Sequence, residues 1–141
     1  MSDFEKCIKF RHLISIDPSD ELIDREMTNA KYDLERAEES LNKGDLKWAA
    51  IQAYYSMYHS ARILVLSKGY REKNHQCLLV ALRELYVKKG ELSKYVVENF
   101  QICLDIKAEA DEGKLPGEGS VRMGIETAMN YLILAVQIAE Y

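Results

Sequence analysis

Cysteine and proline are scarce in this chain, and long apolar runs are missing. Three cysteines, Cys7, Cys77 and Cys103, stand among 141 residues. An odd number without close spacing fits neither a disulfide framework nor a zinc site, so reduced thiols, mostly buried as small hydrophobes, are expected. No stretch approaches the roughly 20 apolar residues that span a bilayer. The opening MSDFEKCIKF carries acids and no apolar segment of signal-peptide length, so a soluble cytoplasmic protein without membrane contact is expected. Strand-like alternation, internal repeats and low-complexity tracts are absent. So are paired His or Cys at ligand spacing, a glycine-rich phosphate loop, a serine elbow and a dinucleotide fingerprint. Neither a metal nor a cofactor is therefore expected. A net charge of -4 argues against indiscriminate coating of nucleic acid, which rests on neutralising many phosphates.

What is present is helical periodicity punctuated by glycine. After Pro18, Ser19 and Asp20 give a helix start, and Ile23, Met27, Ala30, Leu34, Ala37 and Leu41 recur at spacings of three and four, one buried stripe ending at Gly44. Asp45 is a plausible N-cap for a second helix running to Lys68. That helix is apolar on nearly every side, so neighbours must cover it and it is the expected centre of the fold. A third helix carries Leu78, Leu82 (or Ala81) and Leu85. A fourth begins near Ser93, with Val96, Phe100, Cys103, Lys107 and Ala110 on one line. A fifth starts near Ser120 after the glycine- and proline-containing loop Gly113–Gly119. Gly44, Gly69, Gly90 and Gly113 each lie just past a periodic run, 25, 21 and 23 residues apart, where a left-handed C-cap residue belongs. The expected fold is all-α: an antiparallel helical bundle of four long helices plus a short extra helix, in a single domain of residues 1–141. Residues 1–18 read as an N-terminal extension, a tether or a brief helix.

Charge is unevenly spread. Asp17–Asp45 holds ten acids and four bases, and Glu91–Tyr141 nine and four. His59–Lys89 holds seven bases (Arg62, Lys68, Arg71, Lys73, Arg83, Lys88, Lys89) and two acids. This basic island is either an ordinary solvated surface or a face for an anionic ligand or partner. Within it Tyr54 and Tyr58 share one helical row, and Tyr55, His59, Arg62 and Leu66 another. The tyrosines read as core or dimer packing. His59 and Arg62 are either tied to acids from the first or fourth helix or line a polar cleft for an anion. The loop Tyr70–His75 brings Arg71, Lys73 and His75 to a helix start, a candidate anion site unless His75 simply caps that helix. Lys107 and Asp111 form either an internal ion pair or a polar cluster with His59, Arg62 and His75.

The run Ala53-Tyr54-Tyr55-Ser56-Met57-Tyr58-His59-Ser60-Ala61-Arg62, followed by Leu66-Ser67-Lys68-Gly69-Tyr70 and His75, resembles the signature of the HEPN domains. These are small helical proteins of bacteria and archaea, often paired with a minimal nucleotidyltransferase. Asn42-Lys43-Gly44-Asp45 before Trp48-Ala49-Ala50, and Ala110-Asp111, extend the resemblance over about residues 27–141. It implies a helical bundle, commonly dimeric, that binds nucleotides, RNA or a nucleotidyltransferase partner, often in toxin–antitoxin-type operons. Many members are metal-independent ribonucleases that use an arginine, four to six intervening residues and a histidine at a dimer cleft. Here Arg71 and His75 have only three residues between them. Lys107 stands where the family has an arginine, and Glu112 where it has a tyrosine; lysine cannot fork two bonds to a phosphate. The expected ligand-binding residues are Tyr55, His59, Arg62, His75, Lys107 and Asp111. The expected function is a nucleotide- or RNA-associated binding module. An endoribonuclease using His59 or His75 with Arg62, Arg71 or Lys107, and a plain structural bundle, are the alternatives.

Overall fold

The computed structural model describes residues Met1–Ala139. Helix α1 spans Asp3–Lys9, followed by strand β1 at Leu13–Ser15, helix α2 at Asp20–Asn42 and helix α3 at Leu46–Ser67. Strand β2 (Tyr70–Glu72) leads into α4 (His75–Leu82), which continues through a π-helical turn at Arg83–Val87. Helices α5 (Lys94–Asp111) and α6 (Glu118–Ala139) complete the described residues. The fold is all-α with a two-stranded accessory sheet. Among the described residues no helix is long and apolar enough to cross a membrane.

Local chemistry accounts for the boundaries. Ser19, Asp45, Asn74 and Ser93 each accept a backbone N–H of the first turn that follows, leaving one fewer donor unpaired. Gly44, Gly69, Gly90 and Gly113 all adopt the left-handed conformation, with φ from 75° to 90°, so the regular glycine spacing does mark helix ends. Asn74, not His75, caps α4, which leaves the imidazole free for a tertiary role. Helix α6 begins at Glu118, two residues before the expected start at Ser120.

Helix α3 lies at the centre, against α2 on one side and α6 and α5 on the other. Thirteen of its residues are buried, as its lack of a polar face requires. At one end Ala37, Ala49, Ala50 and Ala53 meet Val121 and Ile125. These small side chains let three backbones approach, and Ser56 Oγ reaches across to donate to Ala30 O at 2.7 Å. Toward the other end larger groups take over: Tyr54, Phe100, Tyr131, Tyr86 and the leucines of α4. Their phenols are not orphaned. Tyr86 donates to Leu64 O at 2.5 Å and Tyr131 to Val96 O at 3.0 Å, as buried hydroxyls must find acceptors.

Two expectations need correction. The strand-free reading misses the antiparallel pair β1–β2, registered Leu13 with Glu72, Ile14 with Arg71 and Ser15 with Tyr70. Three-residue strands are too short to display a period of two. Nor are all the cysteines free thiols: Cys7 and Cys77 form a disulfide with their Cα atoms 5.9 Å apart and 70 residues of separation, within the normal Cα range for such a bond. Sequence separation hides the pair, since only docking of α1 onto α4 brings them together. Cys103 is free and buried, as expected.

Candidate functional site

The candidate residues occupy one face of the α3 centre, bounded by α2, β2, the start of α4 and α5. It divides into a salt-bridged half and an aromatic half.

The salt-bridged half is built on His59 and Arg62, one turn apart on α3. His59 Nδ1 donates to Glu26 Oε2 on α2 at 2.6 Å, and His59 Nε2 lies 3.6 Å from Asp33 Oδ2. Arg62 Nε donates to Glu72 Oε1 on β2 at 2.9 Å, and a terminal nitrogen donates to Glu26 Oε1 at 3.2 Å. Tyr58 donates to the second oxygen of Glu72 at 3.2 Å, and the guanidinium sits over the Tyr58 ring, 5.3 Å from its centroid. Glu26 and Glu72 are both 5% exposed, so the carboxylates persist there only because they are paired. Burial alone would raise the Glu26 pKa. The His59 hydrogen bond and the charges of Arg62, His59 and Arg71 outweigh it and hold the carboxyl below its ordinary value. Asp33 goes the other way, raised by burial and only partly offset by His59. His59 and Arg62 are tied to acids, from α2 as the first-helix alternative had it and from β2 rather than the fourth helix. Three carboxylates surround one guanidinium and one imidazole, an arrangement with no spare positive charge for a phosphate.

The aromatic half centres on His75, the first residue of α4. Tyr54 OH and His75 Nδ1 are hydrogen bonded. The imidazole stacks on Tyr58 at 5.0 Å and on Tyr54 at 5.9 Å, with interplanar angles of 19° and 18°. Burial raises the Tyr54 phenol far above its ordinary range, so this phenol keeps its proton in the bond it shares with Nδ1. Burial also depresses the His75 pKa; Glu72 opposes the shift, while Lys107 and Arg62 add to it. The shift favours the neutral imidazole, with Nδ1 already engaged by the Tyr54 hydroxyl.

Lys107 and Asp111 on α5 form an i,i+4 ion pair at 2.7 Å, one of the two alternatives, but with Asp111 exposed rather than internal. The Lys107 ammonium also lies over the Tyr55 ring, 5.4 Å from its centroid, and Tyr55 in turn meets Tyr54 edge-on at 5.4 Å. The Asp111 hydrogen bond, ahead of an opposing burial effect and the contact with Tyr55, raises the Lys107 pKa. Tyr55 is 38% exposed, which makes it the outward edge of the cluster. Arg71 is exposed on β2 opposite Ile14 and contributes charge toward Glu26. The structure therefore links Tyr55 to Lys107 and Asp111 and, through the Tyr54–Tyr58–His75 stack, to Arg62 and His59.

Glu26, Asp33 and Glu72 escaped the sequence reading. Two carried a trace of their role: Glu26 lies three residues after Ile23 and four before Ala30, on the flank of the buried stripe, and Glu72 is one of only two acids in the basic island. Among the described residues no group of three or more His, Cys, Asp or Glu side chains could hold a metal ion.

The all-α bundle with a polar-aromatic central helix defines a class of small helical domains. The family model for the HEPN domain matches residues 24–132, and the chain belongs to that family. No curated protein matches the chain.

Proposed function

We propose that this HEPN protein is a nucleotide- or RNA-associated binding module whose contact face is the aromatic half of the cluster. One observation carries the reading: a partly exposed tyrosine, Tyr55, held beside the Lys107 ammonium at 5.4 Å. An exposed ring offers a base a stacking surface, and an adjacent cation attracts the phosphate backbone. The ring nitrogen of His75 that Tyr54 does not hold would add a hydrogen bond at the inner edge. A minimal nucleotidyltransferase as partner, a homodimer and a place in a toxin–antitoxin-type pair belong to the same proposal, resting on family membership.

Binding is favoured over cutting by the state of the would-be catalytic groups. General acid–base cleavage of RNA needs a histidine with a free lone pair and a cation for the phosphorane. The Arg62 cation is already divided between the Glu26 and Glu72 carboxylates. Titration of the full chain with single-stranded RNA oligonucleotides and with ATP, read by tyrosine fluorescence, tests the proposal. Saturable binding lost in Tyr55→Ala supports it. Wild-type protein that binds neither refutes it, and metal-independent cutting of the RNA in the presence of a chelator would establish the ribonuclease reading instead.

A further inference from the structure

The N-terminal segment is fastened to the bundle at three points. Strand β1 pairs with β2, and Lys73 N and Ile16 N extend the ladder by donating to His12 O at 2.8 Å and Gly69 O at 2.9 Å. The Phe4 ring meets Tyr70 edge-on at 5.6 Å. The Cys7–Cys77 disulfide joins α1 to the first turn of α4. These attachments fall on the elements that position the polar-aromatic cluster: β2 supplies Glu72 to Arg62, and α4 begins with His75, two residues before Cys77.

Cys7 and Cys77 are only 7% and 6% exposed, yet they form part of the wall of an open groove of about 370 Å³, together with Asp3, Lys6, Phe10, His12 and Gln76. The two sulfurs differ as leaving groups. Cys77 lies in the first turn of α4, where unpaired N–H groups and the helix field favour a thiolate, whereas Cys7 lies toward the C-terminal end of α1, where the field has the opposite sign. Cys103 takes no part, because burial among apolar groups pushes its thiol up to about 12.

We propose that Cys7–Cys77 is a thiol-exchange site, entered through this groove by a small monothiol, and that its opening releases the N-terminal segment from β2 and α4. The incoming thiolate sulfur bonds to Cys7 Sγ as the Cys7–Cys77 bond breaks, and the electron pair leaves on Cys77 Sγ. A second thiolate attacks the external sulfur of the mixed disulfide, expelling Cys7 as a thiolate and leaving the reductant as its own disulfide. Both protein thiolates then take protons from water. Two external thiols are oxidised to one disulfide while one protein disulfide becomes two thiols. Lys6 and Asp3 both line the groove, so its charges balance and it sets no preference for a charged thiol.

Glutathione is the probe. The oxidised full chain is incubated with it, quenched in acid, alkylated and mapped by mass spectrometry, with amide hydrogen exchange followed in parallel. The adduct is expected on Cys7 in excess over Cys77 by about tenfold, from the thiolate preference at the helix start. Exchange in the β1–β2 ladder is expected to quicken by about tenfold or more on reduction while α5 and α6 keep their protection, since the opening is local. The Cys7→Ser/Cys77→Ser double variant should fold, by circular dichroism, and show the fast ladder exchange of the reduced protein. A purified chain with both thiols free, a disulfide that resists excess glutathione in the folded protein, opening without faster ladder exchange, or a double variant that fails to fold would each overturn the proposal. None of these readouts depends on nucleotide or RNA binding.

Discussion

Glu26 Oε2 accepts from His59 Nδ1 at 2.6 Å, across the α2–α3 interface, while the other oxygen of the same carboxylate accepts from Arg62 at 3.2 Å. One acid on α2 thereby sets two side chains on α3, and Glu72 on β2 completes the guanidinium's coordination. The consequence is a cluster whose polar demands are met from within. Its residues look like catalytic groups in the sequence and behave as a structural network in the fold.

Removing the shared acceptor should therefore be costly. Glu26→Gln leaves Arg62 and His59 with a neutral partner in a nearly buried place, and the expected loss is about 2 kcal/mol of stability, the scale of hydrogen bonds to charged groups. Urea denaturation at pH 7 measures it; a change within error would show that water replaces the carboxylate without cost.

The same carboxylate gives a pH signature. The folded-state pKa of Glu26 lies below its ordinary 4.5. Just below that ordinary value the unfolded chain therefore binds more protons than the folded one. Its contribution is fully present above 4.5 and is lost as pH falls through the lowered folded value. Asp33, whose pKa is raised, works in the opposite sense and gives back stability as it protonates. Denaturation curves compared between wild type and Glu26→Gln across this acid range should converge as pH falls. Parallel curves would assign the acid sensitivity to other groups.

His75 supplies a second test. Its pKa is depressed by burial, so on lowering pH through 6.5 the unfolded chain takes up a proton before the folded one does. Stability falls as pH decreases from 6.5 through the depressed folded value, and it is fully present above 6.5. Tyr54→Phe removes the phenol bonded to Nδ1, freeing that nitrogen for a proton. The imidazole titration followed by NMR is expected to move upward, with a stability loss of about 1 kcal/mol for the broken hydrogen bond. An unchanged titration would mean that the phenol does not fix the tautomer.

The helix ends were the most legible part of the chain, and Gly69 shows why. Its φ of 88° is a conformation that side chains avoid. A Cβ placed there would meet Ile16 O at 3.6 Å, an ordinary contact. Gly69→Ala should then cost roughly 1–2 kcal/mol through the backbone alone, and about as much as Gly44→Ala, where a Cβ would meet nothing within 4 Å. Thermal denaturation of the pair checks the equality. A much larger loss at Gly69 would reveal a crowding contribution from β1.

Local chemistry was visible to sequence because it is local. Asp45 caps α3, the glycines end helices, and Lys107 meets Asp111 within one helix. What stayed hidden depended on distant segments meeting. Cys7 finds Cys77 across 70 residues, β1 finds β2 over three residues each, and Glu26 finds Arg62 only once α2 packs on α3. Hydrophobic periodicity orients such faces but does not say which polar groups will oppose one another.

The contact face can be separated from the network beneath it. Tyr55 and Lys107 lie at the edge, with their rings and charges turned to each other, and neither supports the Glu26–Arg62–Glu72 links. If RNA or a nucleotide stacks there, Tyr55→Ala should weaken binding by about 1–3 kcal/mol, the value of one base on an aromatic ring. Lys107→Ala should weaken it and flatten its salt dependence, because a cation near a phosphate acts partly by releasing counterions. Both variants should keep their stabilities in urea within about 1 kcal/mol of wild type, since Tyr55 is partly exposed and Lys107 loses one ion pair within its own helix. Arg62→Ala provides the contrast: it strips Glu26 and Glu72 of their common donor and should lower stability before any binding effect can be read. Fluorescence titration at two salt concentrations, run beside urea curves on all three variants, makes the comparison. Equal binding by wild type and Tyr55→Ala would remove the aromatic face as the contact surface.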